Sequence, residues 1–225
     1  MKTDINQTPH NLSQLKFLAG LAFIGMALCY ITLFVIYGAV LSTPLDATTA
    51  KKIAYLVENK VLFNFTYILG YVAFACLLCF CVYVTHCLYQ HASKTTMAMA
   101  SLFGYFWVLV LLCTGMIGIS SNELLASQSL INPEATEVIY HTRTLMTESL
   151  GGGIEFIGGV WLILIAVVSF RHKLLSKSLT IFTLVKGGIG VLTLFCADTL
   201  LRDMFGITGI IWFIWMGLAL LKNRD

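Results

Sequence analysis

The chain has 225 residues, of which 58% are hydrophobic and 11% are charged, and its mean hydropathy is +0.86. A soluble globular domain is excluded, because so apolar a chain has too few charged side chains to cover its surface; an integral membrane protein is predicted instead. The formal net charge is only +3, which predicts no nucleic-acid partner.

Six apolar runs follow one another along the chain, each near the roughly 20 residues that a helix needs to cross the hydrocarbon core. They cover residues 17–41, 62–89, 96–121, 149–170, 178–201 and 204–221. Helix is predicted for each run, because a segment in lipid must pair its backbone donors and acceptors internally. The predicted fold class is therefore all-α: a polytopic membrane bundle of six transmembrane helices in one transmembrane domain, residues 1–225.

The two longest segments between the runs are predicted to form short capping helices on the outer side of the membrane. In residues 44–60, Ile53 and Leu56 fall at helical spacing. In residues 123–148, Pro133 is suited to the first turn of a helix, where its missing N–H costs nothing. These segments are expected to be folded caps.

The distribution of Lys and Arg predicts that both chain termini are cytoplasmic. Basic residues are counted in the segments that flank the predicted spans, because they are retained preferentially on the cytoplasmic side. Eight fall on the side of the termini: Lys2, Lys16, Lys94, Arg171, Lys173, Lys177, Lys222 and Arg224. Five fall on the opposite side: Lys51, Lys52, Lys60, Arg143 and Arg202.

The stretch "SLGGGIEFIGGVWLIL" places Glu155 inside the fourth predicted span. Seven residues beyond Glu148, it lies roughly 10 Å into a helix at 1.5 Å per residue. A charge at that depth costs a few kcal/mol, so Glu155 is expected to face the bundle interior, to be protonated or to meet a partner. The fifth predicted span offers Lys186 and Asp198, and Arg202 follows it.

Glycines in the fourth and fifth predicted spans indicate that these two helices pack side by side, because small residues let helix backbones approach closely. They are Gly151, Gly152, Gly153, Gly158, Gly159, Gly187, Gly188 and Gly190. Close packing is the first role expected for them. For Lys186, snorkelling of the long side chain toward the inner interface is favoured over a retinal Schiff base.

A polar cavity open to the outer side is the functional hypothesis for these charges, and it would bind a small ligand, a lipid headgroup or a proton. A structural role for Glu155 as a polar tie between helices is equally supported. The residues predicted to bind a ligand are Glu155, Asp198, Lys186, Arg202, Arg143 and Glu148.

No cofactor, metal site or catalytic residue is predicted. The seven cysteines lie inside predicted spans, where cysteine usually packs as a small hydrophobe, and "CLLCFCVYVTHC" (76–87) has no second ligand pair opposite it. The five histidines fall at helix ends or in loops. The chain also contains no nucleotide-binding, zinc-protease or nucleophile-elbow motif.

The order of "LKFLAGLAFIG", "PLDATTAKKIAYLVENKVLF" and "LGGGIEFIGGVWLILIAVVSF" resembles the DUF4386-like family of bacterial membrane proteins of unknown function. The resemblance covers most of the chain in layout and is specific only around the fourth span. It implies a multi-pass protein of the bacterial inner membrane with about six helices. It brings no catalytic residues.

Three function classes remain open. The favoured one is a non-enzymatic bundle that binds a lipid, a small apolar ligand or a membrane partner, with membrane lipids as expected partners and homo-oligomerisation left open. The second is a small-solute or proton-coupled transporter or channel subunit using Glu155, Lys186 and Asp198. An intramembrane enzyme is the third. A carrier predicts a polar path to both faces, whereas a binding bundle predicts closure on the inner side by Phe80, Trp161 and Phe182.

Overall fold

The computed structural model describes residues 9–41, 47–152, 155–196 and 199–222. Within these residues the chain forms α-helices, three π-helical segments and no β-strand, which confirms the predicted all-α class. The helices are α1 (Pro9–Val35), α2 (Thr49–Glu58), α3 (Lys60–Tyr67), α4 (Phe74–Tyr89), α5 (Lys94–Gln128), α6 (Pro133–Thr147), α7 (Phe156–His172), α8 (Lys177–Leu192) and α9 (Thr199–Lys222). The π-helical segments are π1 (Ile36–Val40), π2 (Ile68–Ala73) and π3 (Glu148–Gly152).

Five helical stretches among the described residues are long and apolar enough to cross a membrane, which marks a multi-pass membrane protein. They are Leu12–Val40, Lys60–Tyr89, Lys94–Gln128, Pro133–His172 and Leu200–Lys222. The sequence predicted six spans, and the difference lies in the fifth. That run is α8, which has 16 residues and ends at Leu192. Its predicted last residues, Leu200 and Leu201, belong to α9 instead.

The long helices alternate in direction and form one bundle. The tightest packing is between α7 and α8 and between α1 and α9, while α5 packs against both α4 and α7. Both described chain ends, at Pro9 and Lys222, lie at the same end of the bundle, because Gly20 contacts Gly217 and Leu221. We call this the terminal end, and the opposite end, which carries α2 and α6, the cap end.

The two predicted capping helices are present. Helix α2 packs on α5 and α6 and buries Ile53 and Leu56. Helix α6 begins at Pro133, and the side chain of Asn132 caps it by accepting a hydrogen bond from the Ala135 N–H at 3.1 Å. Helix α6 therefore starts as local sequence rules require, whereas the N-cap residue of α2, Thr48, makes no capping hydrogen bond through its side chain.

Large apolar side chains cover the outside of the bundle, as expected for a surface that faces lipid tails. Leu28, Val35, Leu109, Met116 and Leu218 are each more than half exposed. An uncovered apolar belt of this kind would drive aggregation in water. It agrees with the membrane class that the helix lengths indicate.

Seven buried rings fill the middle of the bundle, and we call them the aromatic core. They come from α1, α4, α5, α7 and α9: Phe23, Phe74, Trp107, Trp161, Phe205, Trp212 and Phe213. Neighbouring ring centroids are 5.3–6.3 Å apart, for example 5.9 Å for Trp161 with Trp107 and with Trp212. At these distances aromatic pairs contribute packing energy beyond the burial of their area.

Candidate functional site

Two neighbouring cavities lie between the helices in the cap half of the bundle. Their volumes are about 180 Å³ and about 300 Å³. Tyr30, Leu33, Tyr37 and Glu155 line both of them. We call the smaller one the inner cavity and the larger one the outer cavity. Because they share four lining residues, they adjoin each other at Glu155, and we treat them together as the candidate site.

Each of the three π-helical segments contributes a wall of the inner cavity. Tyr37 comes from π1, Gly70 and Tyr71 come from π2, and Gly151 comes from π3. A π-helical turn departs from the regular helix and occurs frequently at functional sites. Three such turns, distant in sequence, therefore meet at one place in the fold.

Glu155 occupies an irregular position immediately before α7. Its backbone has φ −92° and ψ 18°, and its carbonyl accepts the first hydrogen bond of α7, from Gly159 N–H at 2.9 Å. Its own N–H donates to Thr193 Oγ1 of the turn after α8, at 3.0 Å. The backbone is thereby satisfied in spite of the break in the helix, which membrane-buried segments require. No described side chain donates a hydrogen bond to its carboxylate, which faces the two cavities.

A glycine crossing between α7 and α8 sets the place of Glu155. A Cβ atom added to Gly159 would lie 2.7 Å from the Gly187 carbonyl oxygen, and one added to Gly190 would lie 2.9 Å from the Glu155 carbonyl oxygen. Backbones this close leave no space for a side chain. Gly188, on the other side of α8, faces open space. The predicted packing of these two helices is therefore present, and three of the predicted glycines make it.

Lys186 lies on the same face of α8 as Gly190, one turn or about 6 Å further from the cap end. It does not snorkel, contrary to the expectation from sequence, because its side chain is only 1% exposed. Its Nζ donates to the Phe205 carbonyl oxygen at 3.2 Å and lies 3.1 Å from the centroid of the Phe205 ring. A carbonyl and an aromatic face are both favourable neighbours for an ammonium group, so the core itself holds this charge.

Glu155 and Lys186 interact without touching. Lys186 and Arg202 are the two cations that act electrostatically on the Glu155 carboxylate, but neither forms a direct ion pair with it. Lys186 lines neither cavity, whereas Arg202 lines the outer one. The carboxylate thus faces the site, and the ammonium group stays turned away toward Phe205.

Two charged side chains of α9, Arg202 and Asp203, line the outer cavity at the cap end. Arg202 of α9 is hydrogen-bonded to the Glu148 carboxylate of π3, and Asp203 lines the cavity beside it. Arg143 of α6 donates to the Tyr67 hydroxyl at 2.9 Å, with its guanidinium carbon 5.5 Å from the centroid of that ring. These contacts tie α6 and α9 to the helices that carry the cavity.

The aromatic core lies directly beneath the inner cavity. Phe74 belongs to both, and the Tyr30 ring, which lines the cavity, is 5.1 Å from the Phe74 ring and 6.0 Å from that of Phe213. Trp161 is 1% exposed, as expected of a residue that closes the bundle. Phe80 and Phe182, which were predicted to share this role, are only partly buried.

The structure brings together part of the predicted set of site residues. Glu155 and Arg202 line the same cavity, and Glu148 is hydrogen-bonded to Arg202. Lys186 and Arg143 line neither cavity and contact Phe205 and Tyr67 instead. Asp198 lies outside the described residues.

Sequence reasoning missed the tyrosines of the site. Tyr30 and Tyr37 are seven residues apart in the first span, and Tyr67 and Tyr71 are four residues apart in the second. Such spacings place each pair on one helix face. The Tyr67 and Tyr71 rings stack with centroids 5.3 Å apart, and the Tyr37 hydroxyl hydrogen-bonds to Thr66 Oγ1 at 2.9 Å. Polar aromatic residues repeated on one face of an apolar helix were the signal available.

Fold and site together define a multi-pass helical membrane protein with an acid-containing cavity near one end. Comparison with protein-family models, with curated proteins and with solved structures gives no match for the chain. The resemblance to the DUF4386-like family therefore stays a prediction.

Proposed function

We propose that this protein is a non-enzymatic membrane binding protein that takes a small, partly apolar ligand into the cap-end cavities. The convergence of π1, π2 and π3 on the inner cavity is the observation that carries the proposal. Irregular backbone at membrane depth is tolerated where it lines a cavity. Because π-helical turns occur frequently at functional sites, their meeting point is the preferred candidate for a binding site.

The polarity of the lining also supports a binding role. Tyrosine rings and Leu33 supply apolar contact area, and Glu155 supplies one polar group without a described hydrogen-bond donor. A mostly apolar concave surface with a few polar groups is the usual composition of a small-molecule site.

Closure of the bundle centre favours binding over transport. Directly beneath the inner cavity, Phe74, Trp107 and Trp161 are at most 3% exposed and pack ring against ring. A transporter using Glu155 and Lys186 remains the alternative, and it requires these rings to move apart. No observation favours an intramembrane enzyme over either.

The proposed orientation places the cap end outside the cell and the chain termini in the cytoplasm, in a bacterial inner membrane. Every described Asp and Glu lies in the cap half. The charged residues described at the terminal end are basic: Lys16, Lys94, Arg171, Lys173, Lys177 and Lys222. An excess of Lys and Arg on one side favours that side as the cytoplasmic one. Membrane lipids are the partners proposed for the apolar belt.

The test is a thermal-shift screen of the full chain in nanodiscs made of zwitterionic phosphatidylcholine. The panel contains benzylammonium, benzyltrimethylammonium, benzyl alcohol and benzoate, which share one ring and differ in charge. Leu33→Trp fills the cavities, Leu33→Phe is a milder version, and Leu28→Trp is the control, because Leu28 is 58% exposed on the same helix.

We expect at least one compound to raise the melting temperature of the wild type and of Leu28→Trp, and to lose this effect in a Leu33 variant that still folds. If a compound stabilises the Leu33 variants as strongly as the wild type, or if none of the panel stabilises the wild type, the proposal is wrong.

A further inference from the structure

We infer that the cap-end cavities select a small organic cation, an ammonium group on an apolar frame, over neutral and anionic molecules of the same shape. The inference rests on the proposed binding function and names its class of ligand. It depends on which charges face the cavities and which of them already have a partner.

Negative charge dominates the lining. Glu155 and Asp203 face the cavities, and Arg202 is the one basic residue described in the lining. The Arg202 guanidinium is already hydrogen-bonded to the carboxylate of Glu148. An anionic ligand would thus meet two carboxylates and a cation that is already paired, so anions are disfavoured.

The Glu155 carboxylate accepts no hydrogen bond from a described side chain and forms no direct ion pair with one. Lys186 acts on it from a distance, with its ammonium group held by the carbonyl and ring of Phe205. In a low-dielectric environment, a carboxylate without hydrogen-bond donors is costly, and a ligand that donates to it or carries positive charge relieves that cost. A neutral ligand with no donor would leave it unrelieved.

Aromatic rings surround the carboxylate. Tyr30 and Tyr37 line both cavities, Tyr71 and Phe74 line the inner one, and Phe34 lines the outer one. The face of an aromatic ring attracts cations, and the attraction is stronger where the cation has lost its water. A carboxylate among several rings is the arrangement that recognises ammonium groups on apolar molecules.

The charge of Lys186 provides a competing explanation, which can be tested. If its charge already neutralises Glu155 fully, the cavities gain nothing from a cationic ligand and should bind benzyl alcohol as well as benzylammonium. The two compounds have nearly the same shape, so their difference in affinity measures the demand for positive charge.

The experiment measures dissociation constants by calorimetry for the full chain in phosphatidylcholine nanodiscs, which avoid attraction of cations to anionic lipid. We expect benzylammonium or benzyltrimethylammonium to bind at least about tenfold more tightly than benzyl alcohol, and benzoate to bind most weakly, since one charged contact is worth about that factor. Glu155→Gln, which keeps the shape of the side chain, should abolish the preference. Asp203→Asn should reduce it less, and Glu134→Gln on the exposed face of α6 should leave it unchanged.

Each outcome bears on the inference. Equal affinity for the alcohol and the ammonium compounds overturns it, and so does a preference that survives in a folded Glu155→Gln variant. If a neutral or anionic compound binds best and Leu33→Trp blocks it, the charge selection is wrong while the binding function stands. If no compound of any charge binds, both are wrong.

Discussion

The cap half of the bundle holds every described acidic residue, the three π-helical segments and the two cavities around Glu155. Beyond it, toward the terminal end, the same helices pack a solid layer of rings around Trp161 and Trp212, both at most 1% exposed. Regular helices with large apolar side chains fill space, whereas polar groups and irregular turns leave room. Among the described residues, the cavities around Glu155 therefore lie where the π-helical segments meet, and the aromatic core beneath them is closely packed.

Removal of a ring from the aromatic core should produce the largest effect. Trp161→Ala leaves a cavity in a fully packed layer, and we expect a loss of about 3–5 kcal/mol in unfolding free energy. At 2–4 °C per kcal/mol, the melting temperature should fall by about 6–20 °C. Trp215→Ala is the matched control, because Trp215 is 37% exposed. Similar losses of unfolding free energy for both variants would contradict the conclusion that the aromatic core closes the bundle beneath the inner cavity.

The glycine crossing that positions Glu155 should be the next most sensitive feature. In Gly159→Ala the new methyl group meets the Gly187 carbonyl oxygen, so α7 and α8 must separate. We expect a cost of about 1–3 kcal/mol, measured as a fall in melting temperature in nanodiscs. Gly188→Ala, on the partner helix α8 but on its other side, meets open space and should be neutral or slightly stabilising. An equal fall for the two variants would mean that the crossing is not tight.

A double-mutant cycle should report a smaller coupling between Glu155 and Lys186. Lys186→Met leaves the carboxylate without its buried counter-charge, and we expect a loss of about 1–2 kcal/mol. Adding Glu155→Gln should recover part of that loss, because residues that interact give non-additive changes. Unfolding in a denaturant series measures all four corners. Strict additivity would show that the two charges do not interact, and that Lys186 does not stabilise the Glu155 carboxylate.

Much of the fold follows from sequence rules. Span lengths, the start of α6 at Pro133 and the packing of α7 on α8 are set by apolar run length, by proline geometry and by small residues such as Gly159. These are local or pairwise properties, so a single sequence carries them. The fifth run was the exception, because its apolar character continues past the end of α8 at Leu192 and into α9.

The site was predicted less completely. Glu155 was singled out because a carboxylate in an apolar run is visible in the sequence. The π-helical segments were not, since no residue type marks a change of register within a helix. The orientation of the Lys186 side chain could not be predicted either, because it depends on a contact with Phe205. That residue lies 19 residues further along the chain and is brought close only by packing. Tertiary contacts of this kind decide where a long side chain points.

The closed aromatic core beneath them predicts that the cap-end cavities around Glu155 open to one side of the membrane only. Thiol accessibility tests it most directly, with Leu33→Cys as the cavity position and Ala166→Cys, 0% exposed in α7, as the buried control. Both are placed in a cysteine-free chain reconstituted in vesicles, and a membrane-impermeant thiol reagent is added from either side. We predict rapid labelling of Leu33→Cys from the cap side alone, slowed by bound benzylammonium, and no labelling of Ala166→Cys. Labelling of Leu33→Cys from both sides, or from neither, would contradict the account.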